Sequence, residues 1–171
     1  MKTTKNKTKK VNIRYLPYRL SRKDREKQIN MLNKSRKLYK KNIYFTRTKL
    51  PSYQSKKSKH IVRASKIYGI EKIVPNKELS EKTGCSVDAL EKIVSKGEGA
   101  YFSSGSRPNQ NAQSWGLARL ASAITGSKAS LIDYSILENG CKSNSKALKM
   151  ANKNKSKWMK QMKRKMPKRI I

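Results

Sequence analysis

Apolar side chains recur at helical spacing in several stretches of the chain, and two short runs admit a strand reading. Ser21 offers an N-cap with Asp24 three residues on, a weak capping box. A basic helix is expected to follow to about Lys41, its thin apolar stripe made of Ile29, Leu32, Leu38 and Tyr39. Residues 43–48 (IYFTRT), β-branched and aromatic, read as a short strand or an extended contact segment. Beyond a linker around Pro51, Ser58 caps a helix through Ile61, Ala64, Ser65 and Tyr68 that Gly69 ends.

Pro75 stops the chain before a more apolar block. Asn76 caps a short helix with Leu79 inward, and Gly84 closes it. Ser86 caps the next helix, with Val87, Leu90, Ile93 and Val94 on one face and Gly97 as its expected stop. Ser80 lies four residues before the turn glycine, and Leu90 and Ile93 lie six and nine after it, the spacing of a helix-turn-helix unit. Residues 96–114 (KGEGAYFSSGSRPNQNAQS) read as a loop. A densely apolar helix over about 112–125 holds Trp115, Leu117, Leu120 and Ile124 and is expected at the centre of the core. Residues 131–137 (LIDYSIL) fit either helix or strand and lean to a helix capped by Ser130; 143–151 read as a short helix, and 155–166 as a basic helix with Trp158, Met159, Met162 and Met166.

Charge divides the chain more sharply than hydropathy. The protein has 43 Lys plus Arg against 10 Asp plus Glu, a formal net charge of +33. Residues 71–138 hold eight acids and eight bases; residues 1–70 hold 23 bases and two acids, and residues 139–171 hold 12 bases and no acid. The expected organisation is therefore mainly α: a small electroneutral helical core domain over 71–141 with the helix-turn-helix-like unit, flanked by extended basic arms with short helices over 1–70 and 142–171. A net charge of about 2–8 suffices to keep a small domain soluble, so the excess implies an acidic macromolecular partner.

Candidate partner-binding cations are Arg14, Arg19, Arg22, Lys23, Lys37, Lys40, Lys41 and Arg47 in the first arm, and Lys157, Lys160, Lys163, Arg164 and Lys165 in the last. Aromatics interleave the first arm (Tyr15, Tyr18, Tyr39, Tyr44, Phe45, Tyr53), suited to stacking on bases or to docking on protein. The second helix of the helix-turn-helix pattern presents Asp88, Glu91, Lys92 and Ser95, a poor surface for reading base edges. In the loop, Gly97, Gly99, Ser103, Ser104, Gly105, Ser106, Arg107 and Asn109 are placed to cradle an anion through backbone N–H groups. The favoured alternative is a tight structural loop in which Arg107 and Asn109 tie helices together over Tyr101 and Trp115. It is not a Walker loop, since no Gly-Lys-Ser/Thr follows.

Catalysis finds little support. His60 is the one histidine and has no evident carboxylate neighbour; Glu98 with Asp133 or Glu138 is a conceivable acid/base pair that no spacing singles out. Cys85 and Cys141 make no disulfide framework and no metal-ligand spacing, and Cys85 reads as a small packed hydrophobe in a reducing interior. No signal peptide, membrane span, metal, cofactor or small-molecule substrate is expected.

The strings KELSEKTGCSVDALEKIVSKGEGAYFSSGSRPNQ and SWGLARLASAITGSKAS, with RYLPYRLSRKD, SRKLYKK and SKKSKHIV, resemble a family of uncharacterised proteins of large eukaryotic DNA viruses, the algal-virus and mimivirus-like groups. A more distant phage version shares the pattern carried here by Gly97, Ala100, Tyr101, Arg107, Pro108, Trp115, Ala118 and Arg119. The resemblance implies a viral protein and brings no activity with it. The resulting expectation is a structural virion component, in the virion and in the host cytoplasm (virus factory) during assembly, whose basic arms bind acidic faces of capsid or other virion proteins. The alternative is a sequence-independent nucleic-acid-binding protein that packages the genome.

Overall fold

A computed structural model of the protein describes residues 11–165, with side chains through Lys163. The tail before Val11, and Met166, lie outside the described residues. Among the described residues a 3-10 turn at Ile13–Tyr15 precedes eight α-helices: α1 (Arg22–Tyr39), α2 (Lys59–Tyr68), α3 (Lys77–Thr83), α4 (Val87–Ser103), α5 (Ala112–Ile124), α6 (Lys128–Ile132), α7 (Tyr134–Gly140) and α8 (Lys146–Lys165). The fold is mainly α, as the periodicity predicts. Some of its start signals are the expected ones, but Ser58 makes no side-chain cap bond, and Ser130, expected as a cap, lies inside α6 and donates to Ser127 O at 2.6 Å. Asn76 Oδ1 accepts from Leu79 N at 2.8 Å and Ser21 Oγ from Asp24 N at 3.2 Å, while Gly69 and Gly84 end α2 and α3 in the left-handed region.

The chain forms two compact units, one of Met1–Lys56 with Glu98–Ala112, the other of Lys57–Gly97 with Gln113–Ile171. This division does not follow the charge profile. Among the described residues both flanking segments are largely helical and fall within these units, and residues 98–112 of the electroneutral block belong with the N-terminal residues. Helix α4 supplies its first eleven residues to one unit and its last six to the other.

The larger unit has an ordinary apolar interior. Leu79, Leu90, Ile93, Leu120, Ile124 and Leu137 are fully buried, joined by Ala64 and Tyr68 of α2 and by Ala147, Leu148 and Ala151 of α8. Each buried Leu or Ile contributes roughly 1.5–3 kcal/mol of transfer free energy. Small residues set the helix spacing: a Cβ on Gly97 would stand 2.6 Å from the Gly116 Cα, and one on Gly140 would stand 2.3 Å from the Ala89 Cβ. Gly97 therefore serves a close approach of α4 to α5 and is not the expected helix stop. The same residue type signals both uses, and here α4 runs on to Ser103.

Three further expectations change. The helices expected over 143–151 and 155–166 are one helix, α8, and the single helix expected near 131–137 is the pair α6 and α7, which meet at Asp133. Residues 43–48 are extended but pair with no strand. Cys85 is not a free packed thiol; it is bonded to Cys141, tying the α3–α4 turn to the α7–α8 turn. Two backbone bonds flank the bridge, Ser86 N to Gly140 O at 2.8 Å and Lys142 N to Gly84 O at 2.9 Å.

The smaller unit is built around a different kind of interior. The buried face of α1 reads Asp24, Gln28, Met31, Leu32 and Ser35, three of the five polar, and its apolar cluster is only Leu20, Met31 and Leu50 with Phe45 and Tyr53 against it.

The disulfide closes a sequence separation of 56 residues, which on loop-closure grounds contributes about 4 kcal/mol. Urea unfolding followed by far-UV circular dichroism should therefore show a stability drop of about that size on adding reductant. A Cys85→Ala/Cys141→Ala variant should be indifferent to reductant; no difference between the oxidised and reduced wild-type protein would refute the contribution.

Candidate functional site

The segment expected as an anion-cradling loop turns out to be divided. Gly97, Gly99 and Ser103 are helical, within α4, and the loop proper starts at Ser104. Several of its donors and acceptors are spent on the chain itself. Ser106 is fully buried, its hydroxyl accepting from Arg47 at 2.8 Å and its carbonyl from Gln28 Nε2 at 3.2 Å. Ser104 O accepts from Arg36 at 3.2 Å. Asn109, at φ +60°, reads the backbone of the extended segment: Oδ1 accepts from Leu50 N at 2.7 Å, and Nδ2 donates to Leu50 O and Tyr53 O. Gly105 is at φ +110° and a Cβ there would stand 2.7 Å from Leu32 Cδ2. Asn109 is thus a structural tie, to residues 50–53, whereas Arg107 is exposed.

Arg47, expected on the partner-binding surface, is instead drawn inside. It is 7% exposed, with its guanidinium 3.7 Å above the Tyr101 ring. Nη1 donates to Ser35 Oγ and Tyr101 O, both at 3.0 Å, and Nη2 to Ser106 Oγ. Its backbone N–H donates to the Tyr101 hydroxyl at 3.0 Å. Burial pushes its pKa below the ordinary guanidinium value, opposed by Tyr101 and Tyr15. Among the described residues no carboxylate pairs with it. Sequence inspection counts Arg47 as one more surface cation; nothing but its place in an aromatic run (Tyr44, Phe45) hints otherwise.

The remaining expected cations with described side chains are exposed: Arg14, Arg19, Arg22, Lys23, Lys37, Lys40 and Lys41 in the smaller unit, and Lys157, Lys160 and Lys163 in α8. Arg14 and Arg19 lean on the rings of Tyr15 and Tyr18. The side chains of Arg164 and Lys165 lie outside the described residues. The helices add cations that composition alone does not rank. On α8, Lys146, Lys149, Lys153, Lys157, Lys160 and Lys163 follow one another at steps of three or four residues, all exposed, so they form one ridge. On α1, Lys23, Lys27, Lys34 and Lys37 share such a face, with Asn30 filling the gap in the series. By sequence the smaller unit has 20 bases and three acids and the larger 23 and seven, net +17 and +16. Each unit therefore carries a basic surface of its own. The spacing of lysines by three and four is the sequence signal that would have found these ridges.

The helix-turn-helix face behaves otherwise. Lys92 pairs with Asp88 at 2.7 Å, and Lys96 reaches the buried Asp133 at 2.9 Å. Asp133 also takes both Arg119 Nε and Nη2 at 2.7 Å, which makes it a bidentate internal tie. Of the acids weighed for catalysis, Asp133 is therefore engaged structurally, and Glu138 is exposed. Asp24 is tied in the other unit: the Ser52 hydroxyl and N–H donate to its Oδ2 at 2.6 and 2.9 Å. These bonds hold its carboxyl below the ordinary carboxylate value, against the opposing effect of burial.

A family model described as a family of unknown function (DUF5824) matches residues 13–136. No curated protein and no solved structure matches the chain.

Arg47→Lys keeps the charge but cannot form the fork, and Arg47→Ala leaves Ser35, Ser106 and Tyr101 groups short of a donor. Both should destabilise the smaller unit, the Ala variant by about 1–3 kcal/mol for the buried acceptors left unsatisfied. Hydrogen exchange of residues 13–53 is the measurement, and wild-type protection in both variants would refute the role. For Asp24, the folded pKa lies below the unfolded value near 3.9, so its tie stabilises at pH above that value and is lost as pH falls through the folded pKa. Asp24→Asn should therefore be less stable than wild type at neutral pH, with the gap closing below about pH 4. Melting curves across pH would show it; a constant gap would contradict it.

Proposed function

We propose that this chain, which belongs to the DUF5824 family of unknown function, is a non-catalytic binding protein that lays ordered lysine ridges along the phosphate backbone of nucleic acid without reading sequence. The observation that carries the reading is the ridge on α8. Six exposed lysines at steps of three and four residues give five adjacent like-charge pairs, each costing the helix about 0.2–0.5 kcal/mol. No acid occurs from residue 139 onward to relieve them. A row of phosphates relieves that repulsion and releases its own condensed counterions. From Lys146 to Lys163 the ridge spans about 26 Å of helix, long enough to follow several phosphates.

The surface that a sequence reader would use lends itself poorly to the task. The exposed positions of α4 are partly acidic and its Lys92 and Lys96 are already paired. Binding by backbone electrostatics alone fits better. Mounting the cations on helices, where the side chains alone need ordering, lowers the entropy cost relative to a flexible arm.

A second reading keeps the protein in the virion as a minor internal component held against acidic faces of capsid subunits. It is favoured by the exposed Trp158, Met159 and Met162, anchors of a kind that protein interfaces use. Virion and virus-factory localisation accompany either reading as part of the proposal.

Fluorescence anisotropy with duplexes of unrelated sequence, across a salt series, tests the first reading. Affinities should agree between sequences and fall about 10³-fold or more between 50 and 200 mM salt. Reversing Lys149, Lys153 and Lys157 to Glu should lower the slope by about 3 in its log–log plot. Failure of the full chain to bind at about 50 mM salt would sink the nucleic-acid reading.

A further inference from the structure

Of the aromatics that interleave the N-terminal cations, the structure separates those that build the interior from those left facing water. Tyr15 and Tyr101 are buried, and Phe45 lies under Lys34, whose Nζ is 4.5 Å from its ring centroid. Tyr44, in contrast, is 66% exposed, and Ile43 beside it is 50% exposed. Tyr44 does not dangle. At the end of α1 the chain reverses through Asn42, at φ +58°, with Ile43 N donating to Leu38 O at 3.0 Å. That turn sets the Tyr44 ring edge-on to two others, 5.2 Å from Phe102 and 6.0 Å from Tyr39 between centroids. Tyr39 and Phe102 are nearly parallel, with 8° between their planes.

The cluster is fastened from beneath. Phe102 meets Tyr101 at 5.0 Å and 89°, and Tyr101 is the ring that carries the Arg47 guanidinium. The exposed ring faces are therefore fixed by the buried centre of the unit, so binding a planar ligand there costs little further ordering. Cations frame the rings along the chain: Lys37 precedes Tyr39 on α1, and Lys40 and Lys41 occupy the turn, all exposed. Glu98, one helical turn before Phe102 on α4, is the acid on this part of the unit and is outnumbered.

We infer that the Tyr39–Tyr44–Phe102 cluster is a stacking platform for unpaired bases, which makes single-stranded nucleic acid the preferred ligand of the smaller unit; the inference rests on the nucleic-acid reading above. The chemistry selects the strand form. A duplex presents phosphates to lysines as well as a single strand does, but its bases are stacked on one another and offer no free face. A single strand offers both, and stacking on Tyr is tolerant of base identity because every base has a π-face.

The test measures binding of the full-length protein to labelled oligothymidine of about 20 nucleotides and to a duplex of matching length, at a salt concentration where both bind. Tyr44→Ala should weaken the single-strand complex about 5- to 100-fold and leave the duplex affinity within about two-fold. Tyr44→Phe, which keeps the ring, should restore single-strand affinity, and an unchanged melting curve for both variants excludes a folding defect. Equal loss on both strand forms would mean that the cluster only packs, and an unaffected single-strand affinity in Tyr44→Ala would overturn the platform while leaving backbone binding intact. Absence of wild-type binding to either form would remove both readings together.

Discussion

A guanidinium buried with no carboxylate partner among the described residues is a demand that the rest of the smaller unit must meet. A lone ion moved out of water costs several kcal/mol even after relaxation, unless dipoles and hydrogen bonds replace its hydration. Arg47 meets that demand with two hydroxyls, one carbonyl and one aromatic face, drawn from α1, α4 and the 104–111 loop. Much of the local architecture follows. Ser35 stands on the inner face of α1 where a hydrophobic residue would ordinarily be, and Gly105 and Asn109 adopt left-handed φ so that the loop can turn Ser106 inward. The segment around residue 47 stays extended and unpaired because its side chain and its amide both report to Tyr101.

That mode of construction decides how much was legible in the sequence. In the larger unit, stability comes from apolar burial at helical spacing, with caps at Asn76, Gly69 and Gly84, and the pattern of residues states the outcome. In the smaller unit the buried positions of α1 are spaced like a hydrophobic stripe but written as Asp24, Gln28, Met31, Leu32 and Ser35. Hydropathy scores three of those as surface. Their burial is favourable only because particular partners (Ser52, Ser106, the Phe102 carbonyl) arrive from distant parts of the chain, 28 to 78 residues away. No local pattern encodes that arrival. For the same reason the basic, polar sequence before residue 57 reads as an arm although its described residues pack into a unit, and Arg47 reads as one more cation of its surface.

The glycines and the cysteines show a second limit, since one residue type can serve opposite ends. Gly84 terminates a helix and Gly97 lets one continue past a neighbour, a distinction visible only once Gly116 is seen opposite it. Two cysteines make no framework that would announce a pairing, and Cys85 and Cys141 meet where two turns are brought together by backbone bonds on either side of the bridge.

Charge then acquires a geometry that composition lacks. A flexible arm with the same lysines would spread its charges to minimise repulsion and would lose freedom on contact with any polyanion. Helices α1 and α8 hold theirs in rows, so the repulsion is present before binding, and the ordering is largely done by folding. Helix α8 can bear this because its opposite face is anchored by Ala147, Leu148 and Ala151 in the apolar core; packing holds the helix together against its own lysines. On α1 the anchor is polar instead, and passes from Ser35 through Arg47 to Tyr101 and so to the exposed rings around Tyr44. Within the smaller unit, the cation taken inside thus fixes the framework from which the α1 cations are displayed.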